Sequence, residues 1–367
     1  MDEIKTIKPD VDFIKSLQKI TNSSLKECMQ CGACSVVCKL APEENPFPRK
    51  EMIWASWGLK DKLIGNPDIW LCHQCGDCSA ECPRGVKPAD VLSAIRQQSY
   101  LHYSRPKFMA KWMNSPKYLP LVFGIPFLII NLILLTAGTL HIPEGQVDYS
   151  KFFPHGWLNS SFTLITILTF FGGFLGAKAF WKDMKKSIPG EQKVSFIKSF
   201  ISITKDILIH KNFNTCETNK IRSVAHFMVF WGFILLLAVT LVAIINVIFF
   251  EYPMTFLHPA KITGNFASLL LFTGIGIMVY NRIFNKKTTG ASNYSDWFFL
   301  ITLFLLTLSG TLTETARFGN WSTAYYIYFV HLMLVWVVFI FLPFSKFTHL
   351  VYRTLALVYT KSIGRNI

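Results

Sequence analysis

From about residue 119 onward the chain is a succession of long apolar runs separated by short polar stretches, and before that point it is not. Crossing about 30 Å of hydrocarbon takes roughly 20 helical residues. Six runs are long enough, near 119–140, 160–180, 224–250, 262–281, 297–313 and 324–344. The earlier part carries shorter helical patterns: a leading amphipathic segment (Val11, Phe13, Ile14, Leu17, Ile20), a segment from Glu51 to Ala55 behind Pro46 and Pro48, and a helix opened by Pro88. Pro106 and Pro116 mark a joint. The pattern predicts an all-α chain with a small domain at 1–105, a linker at 106–118, a six-helix transmembrane bundle at 119–350 and a tail at 351–367.

Composition and charge sharpen this division. Of 367 residues, 51% are hydrophobic and 33 are Phe, too apolar for two ordinary soluble domains. Residues 1–105 hold 14 basic and 13 acidic side chains, so the net charge of +15 belongs almost entirely to the remainder, with 23 against 9. A basic excess can signal nucleic acid, but no groove of interleaved basic and aromatic residues accompanies it, and a nucleic-acid partner is rejected. With residues 1–118 in the cytoplasm, the loops at 181–223 and 282–296 and the tail are rich in Lys and Arg, while Lys151, Lys261 and Arg317 are the only cations of the opposite loops. That is the positive-inside distribution. It predicts a multi-pass protein of the inner (cytoplasmic) membrane with its first domain and its tail in the cytoplasm. The opening MDEIKTIKPD has no apolar leader, and the expected compartment for the cysteines is therefore reducing.

Those cysteines carry the chemistry. Cys28, Cys31, Cys34 and Cys38 recur 44 residues on as Cys72, Cys75, Cys78 and Cys82, the last followed by Pro83. Zinc sites use two C-x-x-C pairs with a spacer, which fits poorly. The two runs have the bacterial ferredoxin arrangement, in which three close thiolates and the distant fourth of the other run hold a [4Fe–4S] cube. The crossed sets are Cys28, Cys31, Cys34 and Cys82 for one cluster, and Cys72, Cys75, Cys78 and Cys38 for the other. Lys39 stands where the first run would have its proline. Cys216 reads as a free thiol in a cytoplasmic loop, and His73 as exposed or as a hydrogen-bond donor to a cluster sulfur.

Histidines within spans are costly and point to function. His331 and His349 are 18 residues apart, five turns of one continuous helix face and roughly 27 Å of rise, more than one heme can bridge. Pro343 between them would kink or end that helix. His226, near the start of the third span, lies at the depth of His349, and a six-coordinate heme b takes two such imidazoles from different helices. Arg222, one turn earlier, is a candidate for a heme propionate or simply another inner charge. A second, outer heme at His331 would need a partner, and Leu236 stands where the third span would supply one. His258 is the candidate, His155 the alternative and His141 a weaker one. The chain thus predicts one or two hemes b.

These residues carry a family resemblance. Residues 222–349, with His331, His349 and the intervening Leu342-Pro343-Phe344-Ser345-Lys346, resemble the diheme gamma chain of respiratory nitrate reductases. Residues 1–105 resemble the C-type iron–sulfur component of heterodisulfide reductase, and the whole chain is similar to the fusion of C-type and E-type components found in the QmoC-type membrane proteins of quinone-modifying oxidoreductase (Qmo) complexes. The resemblance implies an electron conduit between menaquinone and flavin/iron–sulfur proteins of the QmoA and QmoB type, themselves similar to the A-type component of heterodisulfide reductase, in dissimilatory sulfur metabolism with adenylylsulfate reductase as indirect partner. It also implies a quinol-site lysine at Lys261. Glu314 and Arg317 are further quinone-site candidates, or a plain i,i+3 ion pair. Two other readings stay open: a methanophenazine-linked heterodisulfide reductase membrane component, and a heme-free iron–sulfur membrane anchor or redox sensor. Trp157, Trp297 and Trp321 are expected at the membrane interface.

Overall fold

The computed structural model describes residues 8–21, 25–216, 220–250, 254–285 and 289–365, so the polar opening residues 1–7 lie outside it. Among the described residues the fold is helical throughout and has no strand. Six helices are long and apolar enough to cross a membrane: Pro116–Thr136, His155–Ser187, Lys220–Phe249, Pro259–Phe284, Tyr294–Phe318 and Ala324–Ser362. They are called here the first to the sixth membrane helix. Phe170, Phe171 and Phe174 on the second, and Leu237, Leu241 and Ile248 on the third, remain exposed. In water such a surface would be untenable; in lipid it is the expected outer face.

The sequence repeat of 44 residues is a repeat of backbone conformation. Gly32 and Gly76 adopt φ of 89° and 100° just ahead of the short helices Ala33–Val36 and Asp77–Ala80, and Gln30 and Gln74 two residues earlier have φ of 59° and 55°. The left-handed conformation curls each loop around its cysteines, and only glycine adopts it at little cost. Gln30 Nε2 donates to Cys28 Sγ at 3.3 Å and the Gln74 amide to Cys72 Sγ at 3.2 Å. The helix Pro88–Tyr103, with proline at its first turn, is almost wholly buried and forms the spine of this domain.

The sixth membrane helix is interrupted. Its first part ends at Phe341, a 3-10 turn at Leu342–Phe344 contains Pro343, and a second helix runs from Thr348 to Ser362. Proline removes a backbone donor and breaks the ladder. The continuous-face relation expected between His331 and His349 therefore does not hold. The expected tail is largely this second helix: Tyr352, Ala356 and Tyr359, on one face, are buried. They join Trp70, Tyr103, Phe180 and Met184 in one core shared by the cysteine domain and the bundle. Trp70 and Tyr352 rings lie 5.2 Å apart, and Phe180 and Tyr352 5.0 Å. A Cβ on Gly176 of the second membrane helix would come within 2.8 Å of the Tyr103 carbonyl, so glycine is what permits this approach. The linker contains the helix Lys107–Met113, seated against Val122, Phe341 and Phe344.

One carboxyl sits awkwardly in that core. Glu51 is fully buried; the Lys50 ammonium donates to Asp68 at 2.6 Å and stands 3.5 Å from Glu51. Burial pushes the Glu51 carboxyl from 4.5 up to about 8, with Lys50 opposing and Asp68 reinforcing the rise. Between those values the folded chain holds a proton that the unfolded chain releases. Stability that Glu51 contributes below pH 4.5 is therefore lost as the pH climbs toward 8, on the order of 5 kcal/mol. Melting followed through cluster absorbance at pH 6 and pH 8.5 should show this decline, and Glu51→Gln should abolish most of it.

Candidate electron-transfer site

In the cysteine domain, Cys72 and Cys78 are buried while Cys31 is exposed. The thiols perturb one another in crossed sets. Burial, then Cys28, Cys31 and finally Cys82, push the Cys34 thiol up to about 11. Burial and then Cys72 and Cys75 push Cys38 up to about 12, and Cys78 is raised by burial, then by Cys72, Cys75 and Cys38, and last by Cys34 of the other set. Thiolates crowded this way need cations among them, and four soft sulfurs per set are the donor chemistry of an iron–sulfur cube.

Cys216 is a free thiol, as expected, but it is not open to solvent. It is buried and hydrogen-bonded to Cys75, and the ligating atoms of Cys75, Asp77 and Cys216 lie within 4.8 Å of one another. The chain after the amphipathic helix Phe196–Leu208 folds back onto the second cysteine loop rather than into solvent. His73, likewise, is enclosed rather than exposed: its ring lies 5.3 Å from Phe213 and its Nδ1 3.4 Å from the Arg353 guanidinium. Burial, followed by Arg353, holds its imidazole well below the usual histidine range.

From this loop a cavity of about 950 Å³ runs into the bundle, reaching from His73 and Gln74 to Lys261, Glu314 and Arg317. His226 and His349 face each other across its near end with ring centroids 6.0 Å apart. Two metal–imidazole bonds of about 2 Å each, plus the two half-rings, span roughly the same distance. Both Nδ1 atoms are engaged, His226 by His210 Nε2 at 2.8 Å and His349 by the Lys346 carbonyl at 2.5 Å. That leaves Nε2 of each for a metal, the arrangement by which outer partners orient ligating histidines. The residues present fit a bis-imidazole heme. His210, which no linear spacing reveals, was missed by sequence reasoning. Arg353 was missed as well, although its place one turn beyond His349, as Arg222 lies one turn before His226, was a signal that could have found it.

At the far end Glu314 pairs with Lys261 at 3.2 Å, not with Arg317 as an i,i+3 pair would. Arg317 donates to the Met254 carbonyl at 3.0 Å and covers the Phe318 ring. His331 Nδ1 is bonded to Ser309 Oγ at 3.0 Å, its ring beside Gly310, one turn from Glu314. His258 is spent otherwise: its Nδ1 accepts from the Ala260 amide and caps the fourth membrane helix. Neither His258, His155 nor His141 lines the cavity, and the structure does not bring His258 to His331 as an imidazole pair. Arg222 gives one Nη to the Gln74 carbonyl. Trp157 and Trp321 are exposed and Trp297 half-buried.

Comparison with known proteins follows the same division. Residues 24–86 match the family model of the 4Fe-4S dicluster domain. Residues 113–366 match the model described as Citrate utilization protein B. The chain belongs to the citrate utilization protein B family. The protein of that name from Escherichia coli is 24% identical over 355 residues, 91% of this chain and 89% of the relative. The C component of the H(2):CoB-CoM heterodisulfide,ferredoxin reductase of Methanothermobacter marburgensis is 34% identical over 91 residues, 24% of this chain and 49% of the relative. The chain thus spans about half the length of such C-type relatives. The E component of the dihydromethanophenazine:CoB--CoM heterodisulfide reductase of Methanosarcina thermophila is 27% identical over 201 residues, 50% of this chain and 74% of the relative. No solved structure matches. This chain therefore joins a 4Fe-4S dicluster domain similar to the C-type components to a region of six membrane-capable helices similar in part to an E-type component.

Proposed function

We propose that the chain passes electrons between the menaquinone pool and cytoplasmic flavin/iron–sulfur proteins through one heme b held by His226 and His349 and through two crossed [4Fe–4S] clusters. The observation that carries this reading is the pair of facing imidazoles at 6.0 Å, inside a cavity that opens on the second cysteine loop at one end and on Lys261 and Glu314 at the other. Heme b, when bound, converts the two-electron chemistry of a quinol into the one-electron steps that clusters accept. The chain's own residues do the rest. His210 and the Lys346 carbonyl fix the two ring orientations. Glu314 and Lys261, half-buried and paired, can take and release the quinol protons at the far end. The basic loops support a cytoplasmic side for the cysteine domain and for the helix Thr348–Ser362.

We assign a single heme, because His258 is occupied as a helix cap and His331 keeps company with Ser309 and Gly310 instead of a second imidazole. The C-type and E-type relatives support a soluble partner resembling the A-type component of heterodisulfide reductase, as in QmoC-type complexes that serve adenylylsulfate reductase. A second reading, favoured by the near full-length match to the Escherichia coli protein, has an oxidoreductase of citrate utilization as the partner. Affinity purification from native membranes with mass spectrometry of the retained proteins decides between them.

The quinone assignment has its own test. Lys261→Met should slow reduction of the heme by a menaquinol analogue by roughly 10²-fold, the scale of one acid–base group, while dithionite still develops the full b-type α band. An unchanged quinol rate would remove Lys261 from the site. No α band in the unsubstituted protein would leave a heme-free iron–sulfur anchor or sensor as the reading.

A further inference from the structure

Among the described residues, an arginine beside each of the two facing histidines reaches the same one of the cysteine domain's two loops. Arg353, one turn beyond His349, donates through Nε to the Trp70 carbonyl at 3.0 Å and through Nη2 to the Cys72 carbonyl at 2.7 Å. Arg222, one turn before His226, donates to the Gln74 carbonyl. Arg96, from the domain's own spine, closes on the Ile69 and Cys72 carbonyls at 2.9 and 3.2 Å. A path of ring contacts runs through the same junction: His73 to Phe213 at 5.3 Å, Phe213 to His226 at 5.6 Å. The first loop has a different setting. Met29 and Val36 are exposed, Cys31 reaches the surface, and the Ser35 hydroxyl is bonded within the domain, to the Arg49 amide.

Resting on the function proposed above, we propose that electrons pass between the heme and the second-run cluster (Cys72, Cys75, Cys78, Cys38) first, that the first-run cluster (Cys28, Cys31, Cys34, Cys82) is the outlet to the soluble partner, and that Arg353 and Arg222 are positioning residues which both fix the second loop against the two histidines and raise the potential of its cluster. The step moves one electron, oxidising one iron centre and reducing one cube, with no bond or proton transferred. Cluster potentials follow net charge, hydrogen bonding and exposure. Guanidinium charge held against a buried loop, where screening by water is weak, favours the more negative, reduced cube. At the first loop the Arg49 guanidinium, beside Gly32, belongs to an exposed residue, so water screens its bias. The order of the two cubes is thereby set by the loop that the membrane helices grip.

The test is an EPR-monitored redox titration of the full-length, cluster- and heme-loaded protein in detergent. Cys75→Ser and Cys31→Ser, each perturbing one cluster's spectrum, assign the two signals. Arg353→Gln should then lower the midpoint of the signal that Cys75→Ser perturbs, shifting its reduction equilibrium about tenfold, or about 59 mV for a one-electron couple, and leave the other signal in place. Arg222→Gln, on the other histidine helix, should do the same, so that failure of one variant to assemble does not decide the matter. Arg353→Lys should recover part of the shift. A shift confined to the first-run signal, an equal shift of both, or none, overturns the inference. A missing b-type band in the unsubstituted protein overturns the proposed function instead, and is read separately.

Discussion

His349→Ala should remove the b-type α band from the dithionite-reduced protein, and His226→Ala should remove it to the same extent, while both variants keep the EPR signals of the two clusters. The expectation rests on geometry, not on the count of histidines. Each ring already has its Nδ1 committed, to His210 and to the Lys346 carbonyl, so each has one nitrogen to offer and both offer it to the same 6.0 Å gap. Losing either leaves a single axial ligand for a heme that needs two. His210→Ala should act more mildly, since outer partners of ligating histidines are worth roughly 10- to 100-fold in affinity. Difference spectra and a pyridine hemochrome assay, expected to give one heme per chain in the unsubstituted protein, check all three. Unequal losses from the two alanine variants would show that they do not serve one heme.

Cys82→Ser should delete the same cluster signal as Cys31→Ser, and Cys38→Ser the same one as Cys75→Ser, each halving the acid-labile sulfide. Linear proximity says the opposite, since Cys82 follows Cys78 by four residues. The packing says otherwise: Cys38 lines one small cavity together with Cys72, Cys75 and Cys78. The short helices Ala33–Val36 and Asp77–Ala80 pack together and carry each fourth cysteine across to the other loop. Iron and acid-labile sulfide assays on anaerobic preparations, alongside the EPR assignments, make the test. If Cys82→Ser deletes the second-run signal, ligation is not crossed.

What the sequence made legible was whatever repeats or persists. The shift of 44 residues between cysteine runs, and six apolar stretches, are long regular signals that local chemistry cannot disguise. Pro343 announced a break and the helix does end two residues before it. The contacts that assemble the site were less legible because they join residues far apart along the chain. Arg353 and Trp70 are 283 positions apart, and nothing local to Cys216 or His210 shows that each folds back on a cysteine loop or a histidine. Glu314 was near Arg317 in sequence and took Lys261 in space, since a carboxylate inside a bundle pairs with the cation its neighbouring helix presents. His258, an attractive ligand by depth, was claimed by the helix it begins.

The core shared by Trp70, Phe180 and Tyr352 ties an early part of the chain to be synthesised to a late one. Asp68 is bonded to Arg365, so that the last helix closes on a domain that left the ribosome some three hundred residues earlier. Until the sixth membrane helix has been inserted, the cysteine loops rest on an incomplete floor. The receptacle for iron and sulfide therefore gains its full packing only once the helix Thr348–Ser362 lies against it.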